Sequence, residues 1–375
     1  MKILINAISA KQGGIVTYTQ NLARSFLSRG VDFRIAVPES LGHLPNAIPF
    51  AASEYNPFHR FVWEQTAWRR HVARWKPDVL FSSANYALLA SRVRQVLLVR
   101  EGGLFDPFYM SMIAPEQGAT AALLRYLRRK LILMSVARST MTVVPSNTLR
   151  DLIIAHDPNV DSKCQVLRYG TPVDNFAIPG RRIWRVDGIL RVLYVGIYYP
   201  HKVPGDLVLA AEQLNAEGFP CRIRLTMNED QIAATPGSRW DLFHVRRGIA
   251  SGLVELGTIR YAELPAAYAA HDLFVFPSVT ETFGHPMAEA LAAKIPIVAA
   301  GTAINREILG DCARFYTPLR PSELAAAMRR LDADPSEREQ MCEQGRRRAE
   351  ELFEWENHVD NLLKTFERVL RADRP

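Results

Sequence analysis

Short, largely apolar runs recur along this chain with longer amphipathic stretches between them, and this rhythm constrains the fold most. Residues 2–6, 33–37, 79–82, 96–99 and 141–144 form a first series, and 191–195, 222–226, 253–256, 273–276 and 295–299 a second. A run apolar on both faces must be covered on both faces, so each series predicts a parallel sheet with helices on either side. The stretch 17–29 is one such helix, with Leu22, Phe26 and Leu27 on one side and Gly30 at its end. Between the series, 170–188 holds Gly170, Pro172, Pro179 and Gly180 without a period and reads as a linker. After the second series come three helical patterns, 321–331, 335–352 and 355–371. At roughly 100–200 residues per domain, 375 residues make about two domains. The expected boundaries are 1–178 and 179–355, with a cleft at the carboxyl ends of the strands.

Composition narrows the class further. With 48% apolar and 23% charged residues the chain is neither disordered nor collagen-like. No run approaches the roughly 18 apolar residues of a membrane span. The opening Met1–Asn6 run is too short for a signal peptide. Cys164, Cys221, Cys312 and Cys342 are far apart, as expected for reduced thiols in a cytoplasmic protein.

The net charge of +7 is uneven. Residues 1–180 carry 21 basic and 12 acidic side chains, a net of +9, whereas 181–375 carry 25 and 27, a net of −2. The basic half suits an anionic partner: nucleic acid, a phosphorylated substrate or an acidic membrane surface. Nucleic acid is disfavoured because no recognition motif accompanies the charge. Segment 58–76 interleaves Trp63, Trp68 and Trp75 with Arg60, Arg69, Arg70, Arg74 and Lys76. Segment 120–138 sets Arg125, Arg128 and Arg129 against a side with Leu124, Leu127 and Leu131. Both suit peripheral attachment to the inner face of a membrane, and both equally suit ordinary helices packed on a sheet. Attachment through charge predicts vesicle binding that weakens with salt.

The chemistry concentrates in residues 276–289, Phe-Pro-Ser-Val-Thr-Glu-Thr-Phe-Gly-His-Pro-Met-Ala-Glu. The block follows an apolar strand and so lies on its carboxyl side. Gly284 admits close backbone approach. Pro286 starts a helix whose free N–H groups favour a phosphate. Glu281 precedes the turn and Glu289 lies one turn inside the helix; each can accept from sugar hydroxyls. The histidines are scattered without a metal-ligand spacing, so no metal site is expected. The Asp332-Ala333-Asp334 triplet falls between helical patterns and reads as an interhelical loop.

The E-x7-E pair Glu281 and Glu289, inside P-S-x-x-E-T-F-G-H-P-x-x-E-A, resembles the signature of glycosyltransferase family 4, retaining enzymes of the GT-B architecture. Gly13-Gly14 before a helix, Val144–Asn147, Tyr169–Asp174, Tyr194-Val195-Gly196 with His201-Lys202, and Leu256-Gly257 leading to Tyr268 and Asp272 extend the resemblance over most of the chain. It implies two Rossmann-like domains facing across a cleft. The first would bind the acceptor, with a C-terminal helix near 356–375 packing back on it; the second would bind a nucleotide-sugar donor, UDP- or GDP-linked, with no other cofactor. By the same resemblance Glu289 holds the ribose and Glu281 contacts the donor sugar. Phe283, Gly284 and His285 lie along sugar and pyrophosphate, with Gly196, His201 and the Gly13-Gly14 loop also on the donor. Lys202 neutralises the leaving pyrophosphate, and the acceptor is a carbohydrate or lipid-linked glycan. Two departures stand out. Ile197 occupies a position where many members carry Arg, and the sequence Val99-Arg100-Glu101-Gly102-Gly103 lacks a histidine often assigned to the sugar site, which leaves Arg100 or Glu101 to line that junction.

Two other readings accompany this one. A sugar-nucleotide epimerase or a phosphorylase has a similar two-domain layout, and an epimerase needs no acceptor. A non-catalytic nucleotide- or membrane-binding protein accommodates the basic half and the missing histidine. A nicotinamide dehydrogenase is disfavoured, since Gly13-Gly14 lacks the G-x-G-x-x-G spacing.

Overall fold

The structure is a computed structural model that describes residues 1–11, 13–177 and 182–371. It contains two fully parallel sheets. The first joins β1 (Lys2–Asn6), β2 (Asp32–Val37), β3 (Ala47–Pro49), β4 (Val79–Ser82), β5 (Arg94–Leu98), β6 (Met141–Val144) and β7 (Cys164–Val166) in the order β3-β2-β1-β4-β5-β6-β7. The second joins β8 (Leu190–Tyr194), β9 (Cys221–Leu225), β10 (Val254–Leu256), β11 (Leu273–Phe276), β12 (Ile297–Ala300) and β13 (Arg314–Tyr316) in the order β10-β9-β8-β11-β12-β13. All ten expected strands are present. The three unexpected ones, β3, β7 and β13, are three-residue edge strands, too short to leave an apolar run.

The chain divides into two units. The first comprises Met1–Phe105, Leu124–Arg168 and the chain from Glu356 onward. Its central strand β1 buries Ile3, Leu4 and Ile5 completely and pairs Ile5 with Ile35 on one side and Phe81 on the other. The helix Gly14–Ser28 lays Tyr18, Leu22 and Phe26 on the sheet. The C-terminal helix Trp355–Arg371 buries Val359, Leu362, Phe366 and Val369, with the Phe366 ring 5.4 Å from that of Phe81. His358 locks this helix in place: one ring nitrogen is 2.6 Å from the Arg168 carbonyl and the other 3.1 Å from the Tyr18 hydroxyl. Burial pushes its pKa down to about 4, so the ring is neutral.

The two segments read as basic amphipathic helices are both helical. The 58–76 segment is a helix with a π-turn, Glu64–Trp68, between Pro57–Trp63 and Arg69–Trp75. The turn rotates Glu64 and Trp68 inward, where Asn6 Nδ2 donates to Glu64 Oε1 at 3.2 Å. The helix Ala119–Arg138 mixes the two sides that the sequence set apart: Leu131 packs on the core, whereas Leu124 and Leu127 are exposed. Arg125 is buried with Ile132 and Val136, Arg128 pairs with Glu101 at 2.8 Å, and Leu123, Leu124 and Leu127 face solvent. The Arg128 guanidinium donates to the Glu101 carboxylate, and that of Arg129 stands 3.5 Å from the Leu104 carbonyl.

The second unit comprises Asp106–Leu123 and Tyr169–Trp355. The stretch expected to be a linker is packed into it over its described residues. Val173 and Phe176 are fully buried, Arg182 donates to the Tyr268 carbonyl at 2.9 Å, and Trp184 donates to Asp332 at 2.6 Å. Residues 178–181, which include Pro179 and Gly180, lie outside the described residues. Asp332 is thus committed to Trp184 and Arg185, while Asp334 caps the helix Pro335–Phe353 by accepting from the Glu337 N–H. Among the described residues no helix is long and apolar enough to cross a membrane.

Candidate functional site

The second sheet aims its carboxyl ends at three loops that carry the chemistry. β8 runs into Gly196, whose N–H donates to the Thr226 hydroxyl at 2.9 Å; a Cβ there would lie 3.1 Å from the Tyr194 hydroxyl. The chain then turns through His201 and Lys202 into the helix Pro204–Ala216. Val203 takes φ +43°, a left-handed conformation that a β-branched residue adopts only under constraint. The constraint is Asp241, which accepts from the Gly205 N–H at 2.9 Å and the Tyr198 hydroxyl at 2.8 Å. Burial pushes the Asp241 carboxyl up to about 6, and those two donors work against the rise.

β11 runs into the second loop. Its residues Ser278 and Thr280 are buried, and Asn305 pins it by donating to the Ser278 and Ala300 carbonyls at 3.0 and 2.9 Å. The Val279 N–H donates to the His201 carbonyl at 2.9 Å, which ties the two loops together. There Lys202 and Glu281 form a direct ion pair with side chains only 10% and 11% exposed. Burial works to raise the Glu281 pKa, but the Lys202 charge, the neighbouring His201 and hydrogen bonds from Lys202 and Ser278 carry it below the usual carboxylate value. Lys202 also lies 5.3 Å from the Phe276 ring centre. Burial, then the Lys202 charge, pushes His201 down to about 4, leaving a neutral imidazole between the rings of Tyr199 (5.7 Å) and Tyr109 (6.0 Å).

Gly284 ends the loop at φ +78° and starts the helix His285–Ala292. A Cβ there would fall 2.5 Å from Met287 Cε. Gly284→Ala should therefore cost about 1–2 kcal/mol of stability, read as a midpoint lowered by a few degrees in thermal unfolding; an unchanged midpoint would show that the turn relaxes freely. The first N–H groups of the helix point out of the loop and suit an anion. Within the helix Glu289 is buried, and the Tyr268 hydroxyl stands 3.1 Å from both its Oε2 and the Pro286 carbonyl. Burial pushes the Glu289 carboxyl up to about 7 and the Tyr268 hydrogen bond opposes the rise.

The predicted residues fall into two groups. Lys202, His201, Glu281, Gly284, His285, Glu289 and Gly196 all lie in the second unit. Phe283 is there too, but its side chain is core, within 5.5 Å of Tyr169 and 5.2 Å of Phe353, so only its backbone faces the loop. His285 stacks on Tyr169 at 4.8 Å. Gly13, Gly14, Arg100 and Glu101 belong to the first unit. Gly13 takes φ +70° and caps the helix Gly14–Ser28. The Arg100 N–H donates to Asn85 Oδ1 at 2.6 Å, while Glu101 is engaged by Arg128. Two supports escaped the sequence reading, Asp241 and Asn305. Asp241 carried a legible signal, since it shares a helix face with Val245 and Gly248. Among the described residues no three His, Cys, Asp or Glu side chains are grouped to hold a metal.

Residues 12–175 match the model of Glycosyltransferase Family 4, and residues 247–348 that of Glycosyl transferases group 1. The MMP alpha-(1->4)-mannosyltransferase of Mycolicibacterium hassiacum is 35% identical over 111 residues, 29% of this chain and 27% of that protein. The chain thus spans about a quarter of the length of that curated relative. The sucrose-phosphate synthase of Thermosynechococcus elongatus has the same fold, with a TM-score of 0.80 at 18% identity over 100% of both chains. Anabaena HepE, solved in complex with UDP-glucose, matches with a TM-score of 0.77 at 16% identity over 98% of this chain and 100% of that one. With family models over most of its length and the fold of a GT-B enzyme, this chain belongs to glycosyltransferase family 4.

Proposed function

We propose that the protein transfers a hexose from a nucleotide-sugar to a hydroxyl acceptor with retention of the anomeric configuration and without a metal ion. The observation that carries this reading is the buried Lys202–Glu281 ion pair beside the start of the helix that contains Glu289. Breaking the sugar–phosphate bond leaves negative charge on the departing diphosphate and oxocarbenium character on the sugar. Lys202 and the first N–H groups of the helix His285–Ala292 are fixed positive donors for the diphosphate. Glu281 orients Lys202 through their ion pair and contacts the donor sugar. Glu289 receives the ribose hydroxyls. The UDP-glucose captured in HepE supports a nucleotide-sugar as the donor here. The acceptor is a carbohydrate or lipid-linked glycan presented at the inner, cytoplasmic face of an anionic membrane, to which the +9 half is attracted.

Thermal stabilisation by UDP, GDP and ADP identifies the donor base, and product analysis with the matching nucleotide-sugar then tests transfer. Glu289→Ala should weaken nucleotide binding by about 1–3 kcal/mol in calorimetry; unchanged affinity would remove Glu289 from the ribose. The raised pKa adds a pH signature. Ribose hydroxyls donate to the ionised carboxylate, so binding favours the charged form and affinity should rise as pH climbs through about 7. Glu289→Gln should flatten that slope.

A further inference from the structure

The two carboxylates of the donor unit are treated differently by their surroundings. Glu281 has the Lys202 ammonium against it. Glu289 is 4% exposed, and among the described residues no charged side chain acts on it. What it has instead is a phenol. The Tyr268 hydroxyl lies 3.1 Å from Glu289 Oε2, and the Tyr268 side chain is fully buried. The rings of Phe176 and Phe274, 5.8 and 5.7 Å away, pack against it. One guanidinium also joins the two helices that carry the pair, Leu264–Ala270 and His285–Ala292. At their carboxyl ends Arg182 donates to the Tyr268 carbonyl at 2.9 Å and stands 3.3 Å from the Ala293 carbonyl. All of these residues lie in the second unit.

The hydroxyl has one hydrogen and two acceptors, because the Pro286 carbonyl is also 3.1 Å away. Beside an ionised Glu289 it donates to Oε2, since a charge-assisted hydrogen bond is about twice as strong as a neutral one. Beside a protonated Glu289 it can donate to the carbonyl and accept the carboxyl hydrogen on its own oxygen. Rotation about one C–O bond therefore satisfies either state without moving a heavy atom. Tyr268 stays a donor throughout, as burial and then the Glu289 charge hold its hydroxyl well above the usual phenol value.

The other groups around Glu289 supply no such adjustment. Tyr261, on the turn Tyr261–Glu263, is a second buried phenol whose titration Glu289 opposes. His285, on the same helix as Glu289, stacks on Tyr169. Arg346, on the helix Pro335–Phe353, is engaged by the Val173 and Ala292 carbonyls and by Asp174 and Glu350.

We propose that Tyr268 is a positioning residue whose hydroxyl, by shifting its hydrogen between Glu289 and the Pro286 carbonyl, sets how readily Glu289 carries the charge that ribose recognition uses. This rests on the reading of Glu289 as the acceptor for the ribose hydroxyls. Without the phenol hydrogen, burial acts on the carboxyl unopposed and its ionisation moves to higher pH.

The experiment is calorimetric titration of the full chain with whichever of UDP, GDP and ADP gives the largest thermal stabilisation, at about pH 6.5 and about pH 9, on either side of the Glu289 transition. Tyr268→Phe keeps the ring against Phe176 and Phe274, and unchanged circular dichroism establishes its fold. It should bind about 3–10-fold more weakly than wild type at the lower pH and within about twofold at the higher, because a shift of one pKa unit is worth a factor of about ten. The ionisation of the diphosphate itself is common to both proteins and cancels in their ratio. Tyr268→Phe/Glu289→Ala should bind like Glu289→Ala alone at both pH values. A loss in Tyr268→Phe that is equal at the two pH values would overturn the proposal, since packing alone accounts for it. So would wild-type affinity in Tyr268→Phe at both, or a further loss in the double variant, which would mean that Tyr268 acts other than through Glu289. Wild-type affinity in Glu289→Ala would overturn the ribose reading and the proposal together, whereas a weakened Glu289→Ala beside a pH-independent Tyr268→Phe overturns the proposal alone.

Discussion

Glu281→Gln should lower the unfolding midpoint of the nucleotide-free protein by several degrees, of the order of 5–10 °C. The substitution keeps the shape of the side chain and removes its charge, which leaves the Lys202 ammonium buried without its counter-ion. Removing one member of a buried pair typically costs about 3–5 kcal/mol, because the remaining charge keeps its desolvation penalty and loses the attraction that offset it. The Lys202 side chain lies buried against Glu281 and near the Phe276 ring. The double variant Glu281→Gln/Lys202→Met should recover most of the loss, since the same site then holds no charge. Thermal unfolding of wild type, single and double variants measures the coupling directly. A single variant as stable as wild type would mean that Lys202 is hydrated in solution and that the pair is not buried in the functional sense.

The second large effect is on turnover. The stable double variant should lose sugar transfer by about 10²–10³-fold or more, with nucleotide affinity reduced far less. Loss of one fixed donor to a developing anion costs about that factor, because the donor acts on charge present mainly in the transition state. The split between kcat and KM is the decisive readout: a purely structural role for the Lys202–Glu281 pair would be repaired with stability, whereas a role of either side chain at the reacting groups would not. Transfer within about fivefold of wild type in the double variant would remove Lys202 from the leaving group and leave the helix start at His285 as the principal stabiliser.

The sheet architecture was legible because parallel strands are buried on both faces, and the full burial of Ile3, Leu4 and Ile5 is what an unbroken apolar run requires. The turn at Gly284 was legible for a similar reason, since glycine and proline mark backbone geometry locally. The faces of the helix Ala119–Arg138 were not. Periodicity sets the leucines and arginines of this helix on two sides without saying which is inward, and the structure buries Arg125 while Leu124 and Leu127 are exposed. Nothing local to 119–138 announces that a carboxylate on another segment will claim its arginines.

The sequence by itself determined two parallel-sheet units, the loop chemistry of residues 276–289 and the uneven charge of the two halves, because burial, backbone geometry and net charge are each written in short stretches of chain. Tertiary structure alone decided that Lys202 and Glu281 meet, that Asp241 and Asn305 hold their loops, that 106–123 packs with the second unit and that leucines of the basic half face outward. Lys202 and Glu281 are 79 residues apart. Only the close parallel pairing of β8 with β11 brings the loops that follow them together, and that proximity converts two ordinary side chains into a buried pair with one charge of each sign.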